Sequence, residues 1–122
     1  MTSVLNVDTI AAKDGTSAAT LTKQTAAKAF VKGSDAAVAA ESFNIGSGTD
    51  NGTGNYTYAF TNSMSSANYT INTDCHSGGL SATNKDSQAA GSYKVQVFDR
   101  GNSTLGGSRN DTNYSAIHGD LA

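Results

Sequence analysis

Large apolar side chains are scarce in this 122-residue chain: leucine, isoleucine, valine and phenylalanine together number nineteen. That is under a fifth of the chain, below the level at which a soluble domain ordinarily holds its own core. Charge is scarce as well, with 15% charged residues and a formal net charge of -2. No lysine or arginine cluster is dense enough for electrostatic binding to nucleic acid, which excludes that class of partner. Low apolar content with a high net charge reads as disorder. With the charge near zero, the expectation is a thin β-structure that completes its core with neighbouring copies. A single cysteine, Cys75, excludes an internal disulfide and reads as a small, partly buried side chain. No stretch approaches the roughly 20 apolar residues of a membrane span, so no membrane insertion is expected. The opening MTSVLNVDTIAAK lacks a basic leader followed by an apolar run, so no secretory signal is expected. The sequons at Asn55, Asn68 and Asn113 then reflect a composition rich in Asn, Ser and Thr. Proline is absent altogether, which by itself excludes nothing.

What is present falls into two parts. Residues 1–28 combine a short strand-like pattern, SVLNVDTI, with small residues and a turn at Asp14-Gly15. Leu5 and Val7 share one face of that pattern. The stretch from Lys23 to Lys32 has good helix formers, but its apolar side chains are mostly alanine, so a helix there has little to bury. The reading is an extended N-terminal arm over 1–28 and a β-domain over 29–122. From Ala29 onward the two-residue alternation is clear. Phe43 and Ile45 are expected on one face of a strand, and Tyr56, Tyr58 and Phe60 on one face of the next. Tyr69, Ile71, Thr73 and Cys75 repeat the pattern, as do Tyr93, Val95 and Val97, with a last, weaker strand near Tyr114 to Ile117. Loop compositions separate these runs. The expected fold is all-β: an antiparallel β-sandwich or small barrel of five to seven short strands.

Candidate sites are few. The stretch SFNIGSGTDNGTGNYTYAF carries glycines at 46, 48, 52 and 54. A phosphate cradle needs a helix after its glycine loop. Here a strand follows, and Asp50-Asn51-Gly52 suits a hairpin turn. Asp74-Cys75-His76 is the one cluster with metal-ligand or nucleophilic residue types, but zinc wants three or four ligands and the other histidine is His118. Neighbours on a strand point to opposite faces, so Cys75 and His76 do not face each other; Cys75 with His118 stays open as a nucleophile–base pair. A loop calcium site at Asp50 or Asp111 lacks the EF-hand spacing. The tyrosines are read as core rather than as a sugar-stacking platform, because Tyr56, Tyr58 and Tyr69 follow strand periodicity. No catalytic residue, cofactor or metal site is expected.

Taken in order, SVLNVDTI, DGTSAATLTKQTAAKAFVKG, ESFNIGSGTDNGTGNYTYAF and SSANYTI resemble the opening of small bacteriophage virion structural proteins and tail-fibre modules. The resemblance covers roughly residues 3 to 75 and rests on structural motifs, so it transfers no catalytic residues. It implies a non-enzymatic protein, tail-fibre, tail-associated or capsid-decorating, assembled in the host cytoplasm and located on the virion. The implied partners are further copies, as a homotrimer, and other virion proteins of tail or capsid. Partner docking is assigned to Val4, Leu5, Val7 and Ile10 of the arm. The alternative is a host-surface or carbohydrate-binding adhesin, with loops 77–92 and 101–113 meeting host glycans.

Overall fold

The computed structural model describes residues 26–76, 78–100 and 105–122. Two antiparallel sheets face each other. One has the order β2-β1-β9-β5, built from β1 (Ala29–Gly33), β2 (Ala39–Phe43), β5 (Thr70–Cys75) and β9 (Asn113–His118). The other has the order β3-β4-β7-β6, built from β3 (Ile45–Asp50), β4 (Asn55–Phe60), β6 (Leu80–Thr83) and β7 (Ser92–Arg100). Its fifth strand, β8 (Leu105–Ser108), also pairs with β7. Phe98 pairs with both Leu80 and Ser108, so β6 and β8 flank β7 on opposite sides. The chain crosses between sheets after β2, β4, β5 and β8, which makes the molecule a β-sandwich rather than a closed barrel. A single 3-10 turn at Lys85–Ser87 is the only helical element among the described residues.

The described strands number nine, more than the five to seven expected. The additional strands carry little alternation: every residue of β2 is exposed, β3 is mostly Gly, Ser and Thr, and β6 and β8 have four residues each. Such strands hold through backbone pairing, which composition does not display. Phe43 and Ile45 do not share a strand face. The chain breaks between them at Asn44, whose φ of 55° lies in the left-handed region that asparagine tolerates. Asn44 donates to the carbonyls of Lys28 (3.1 Å) and Asn62 (3.0 Å) and accepts from the Asn62 N–H (2.7 Å), fixing the passage from β2 to β3. Phe43 is left exposed while Ile45 packs on the core.

Aromatic residues fill the space between sheets. Tyr56, Tyr58 and Phe60 of β4 and Tyr93, Val95 and Val97 of β7 point inward and are buried. The Tyr93 ring lies 5.7 Å from that of Tyr58 and 5.4 Å from that of Phe60, and Phe60 meets Tyr69 edge-on at 5.6 Å. From the opposite sheet come Ala29, Val31 and Ile117, with Ile71 and Cys75 at the margin. A tyrosine core stays in place only if each hydroxyl finds a partner. Tyr58 Oη donates to Asn113 Oδ1 (2.8 Å), Tyr93 Oη pairs with Ser115 Oγ, and Tyr69 Oη lies 2.8 Å from the carbonyls of both Ala89 and Ser92.

Burial pushes Tyr58 and Tyr69 up to about 12 and raises Tyr93 as well. The folded chain therefore keeps phenolic protons that unfolded tyrosine releases near 10. Stability is intact below that pH and falls as pH rises from about 10 toward 12. In a titration followed by tyrosinate absorbance and far-ultraviolet dichroism, these tyrosines are expected to ionise together with loss of the sheet signal. Ionisation of the core tyrosines near pH 10 with the sheets intact is the opposing result.

Candidate docking face

The β1 sequence AFVKG decides which side of its sheet is outside. Lys32 stays in water, and Phe30, two residues earlier, shares its face by strand periodicity. Ala29, Val31 and Gly33 are the inward set. In β2 the same logic puts Phe43 on the side of Glu41. Register then assembles two rows across the outer face. Glu41 pairs with Lys32, Lys32 with Tyr114, and Tyr114 with Asp74. In the next row Phe43 pairs with Phe30, Phe30 with Ala116, and Ala116 with Asn72. The Phe30 and Phe43 rings stack at 6.3 Å.

Ala116 contributes only a methyl group between larger neighbours, so the face dips there. The result is an open groove of about 490 Å³ lined mostly by apolar surface of Phe30, Tyr114 and Ala116, with Lys32, Glu41 and Asp74 at its borders. Exposed apolar surface continues from Phe30 (41% exposed) to Phe43 (55%), and Val38 is exposed separately at the other end of β2 (64%). Single exposed apolar residues are ordinary, but a stacked pair of exposed rings beside a groove makes this face a candidate contact surface. Both β2 and β3 are sheet edges on this side of the sandwich, so their outer backbone groups are free of sheet partners among the described strands.

The sequence-predicted residues fall as follows. Val4, Leu5, Val7 and Ile10 lie outside the described residues. Asp50 Oδ1 accepts from the Gly52 N–H (2.9 Å) in the β3–β4 hairpin turn, where Gly52 and Gly54 have positive φ. Asp111 is buried, ion-paired with Arg109 (Nη2–Oδ2 3.3 Å), and its Oδ1 accepts from the Thr112 N–H (2.8 Å). Both carboxylates thus serve local structure. Cys75 and His118 do not meet. Cys75 pairs with Asn113 and His118 with Thr70, at opposite ends of the β5–β9 ladder, roughly 16 Å apart along the strands. Burial, with Asp111 and Asp74 adding to it, raises the Cys75 thiol above its ordinary value, away from a reactive thiolate. Among the described residues no three His, Cys, Asp or Glu side chains are grouped to hold a metal, and no helix is long and apolar enough to cross a membrane.

The groove is a feature that sequence reasoning missed. Phe30 and Phe43 look like core residues by type, although the Phe-x-Lys spacing of β1 and the Glu-x-Phe spacing of β2 carry the signal that both rings face out. Comparison with protein families, with curated proteins and with solved structures found no match.

Proposed function

We propose that the chain is a non-enzymatic bacteriophage virion structural protein that assembles as a homotrimer and docks on tail or capsid. The observation that carries this reading is the β1–β2 side of the sandwich. All five residues of β2 are exposed, and Phe30, Val38 and Phe43 lie bare along it. A strand that buries none of its own side chains contributes little to an isolated chain. It gains a hydrophobic role once a neighbouring copy covers it. The scarcity of large apolar residues supports the same view, and the ordered motifs resembling phage virion proteins supply the setting. The alternative of a sugar-binding adhesin gains no support from Tyr56, Tyr58, Tyr69 and Tyr93, which are buried, and of the five tyrosines Tyr114 alone lines the outer face.

Light scattering of the purified full-length chain at several concentrations tests the assembly. A stable mass of three chains of 12.4 kDa each is expected. A concentration-independent single-chain mass removes the trimer. Immunogold labelling of purified phage particles with an antibody to this chain tests the location, and unlabelled particles remove the virion assignment.

A further inference from the structure

We infer that the outer-face groove over Ala116 is the receptor for residues 3–10 of a neighbouring copy. This rests on the assembly reading above and names the surface that receives the arm. The groove has an apolar floor, is bordered by Lys32, Glu41 and Asp74, and lies beside the exposed Phe43, which stacks on Phe30. The segment SVLNVDTI matches it in kind. Its Leu5 and Val7 recur at strand spacing, so an extended segment presents both to that floor on one face.

Length fits as well. An extended eight-residue segment spans about 26 Å, while the four strands of the receiving sheet span about 14 Å between outer strand axes. The chain enters the described fold at Ala26, three residues before β1. The connection from Ile10 to Ala26 reaches roughly 50 Å when extended, enough to place one copy's segment on an adjoining domain. A chain that fills its own groove leaves Val38 and the open side of β2 bare. A segment delivered by a neighbour tethers that neighbour's domain within the connection's reach of β2, where it can cover the edge as well.

The test uses full-length chains in a Cys75→Ser background. One preparation carries Leu5→Cys, a second Ala116→Cys, and a third carries Gln96→Cys on the five-stranded sheet. Leu5→Cys chains are mixed with each of the others under mild oxidation, and products are separated without reductant and identified by mass. The expected product is a disulfide-linked heterodimer of the Leu5→Cys and Ala116→Cys chains, with little from the Gln96→Cys mixture. Equal yields in both mixtures, or none in the first, overturn the assignment. So does a Leu5→Cys/Ala116→Cys double variant that closes only within one chain. Light scattering of the same mixtures separates the two ideas. A trimer without the heterodimer leaves the assembly reading standing and moves the receptor elsewhere, whereas a monomer removes both. A fourth variant, Ala116→Arg, fills the groove from an outward-facing position. It is expected to lose the oligomeric mass while keeping the sheet signal, and retention of the full mass contradicts the proposal.

Discussion

Gly54→Ala is expected to destabilise the fold by about 3 kcal/mol, a fall in Tm of roughly 15 °C for a domain of this size. Gly54 closes the β3–β4 hairpin at φ +63° and is buried. An L-residue held there costs about 1–2 kcal/mol from backbone sterics alone. The larger obstacle is space. A Cβ at this position overlaps the Val97 carbonyl oxygen and meets the Arg109 carbonyl oxygen at 2.6 Å and the Arg109 nitrogen at 2.9 Å. These are backbone atoms and have no alternative rotamer. They also belong to the network that ties β7 to the segment after β8: Val97 N–H donates to the Gly54 carbonyl, Arg109 N–H donates to the Val97 carbonyl, and the Gly54 N–H donates to Asn110 Oδ1 at 2.8 Å. Gly107→Ala is the matched control, since a Cβ there meets nothing within 4 Å. Thermal unfolding of the two variants beside the parent checks the difference. Equal Tm values would show that the hairpin tip does not pack against residues 109–110.

Elements whose side chains alternate between apolar and polar are legible in the sequence. The strands carrying Tyr56, Tyr58 and Phe60, and Tyr93, Val95 and Val97, are of this kind, as is the hairpin turn at Asp50-Asn51-Gly52. An antiparallel sandwich or small barrel follows from them, and the two-sheet topology decides for the sandwich. Three things were hidden, each for a physical reason. The turn at Asn44 depends on a left-handed residue that fits both a strand and a turn by type. The outward turn of Phe30 and Phe43 depends on which neighbours share their face, so residue type alone points to the wrong side. The position of β9 in the interior of its sheet was hidden because two of its three inward residues, Asn113 and Ser115, are polar. The tyrosines across the core explain them. A hydroxyl-rich wall from β4 and β7 needs acceptors and donors opposite, and β9 supplies them. The groove was hidden for a related reason: its floor and walls come from β1, β2, β5 and β9, which touch only after the sheet has formed.

Asn113→Leu is expected to cost about 2–3 kcal/mol, and most of that loss is expected to disappear when Tyr58 is changed to Phe in the same chain. Leucine and asparagine have comparable size, so the single substitution leaves little void. What it leaves is the Tyr58 hydroxyl without its acceptor in a site where neither residue is exposed to solvent. An unpaired buried polar group costs about 1–3 kcal/mol, whereas replacing both partners by apolar groups of the same shape is close to neutral. Gly33 explains why the contact is so specific. A Cβ at Gly33 overlaps the Tyr58 hydroxyl, so the absence of a side chain there is what admits the ring to Asn113. Tyr58→Phe alone is expected to cost about 1 kcal/mol, because it frees the Asn113 amide oxygen. Urea denaturation of the parent, both single variants and the double variant closes the cycle. A coupling of about 1 kcal/mol or more is the expected result, and strict additivity would show that the two side chains do not act on each other. The pair also bears on the outer face. Along β9, Asn113 and Ser115 point inward while Tyr114 and Ala116 point outward, and a one-residue slip exchanges the two sets. The hydrogen bonds of Asn113 to Tyr58 and of Ser115 to Tyr93, with Ile117 buried beside them, therefore fix the register that keeps Ala116 on the floor of the groove.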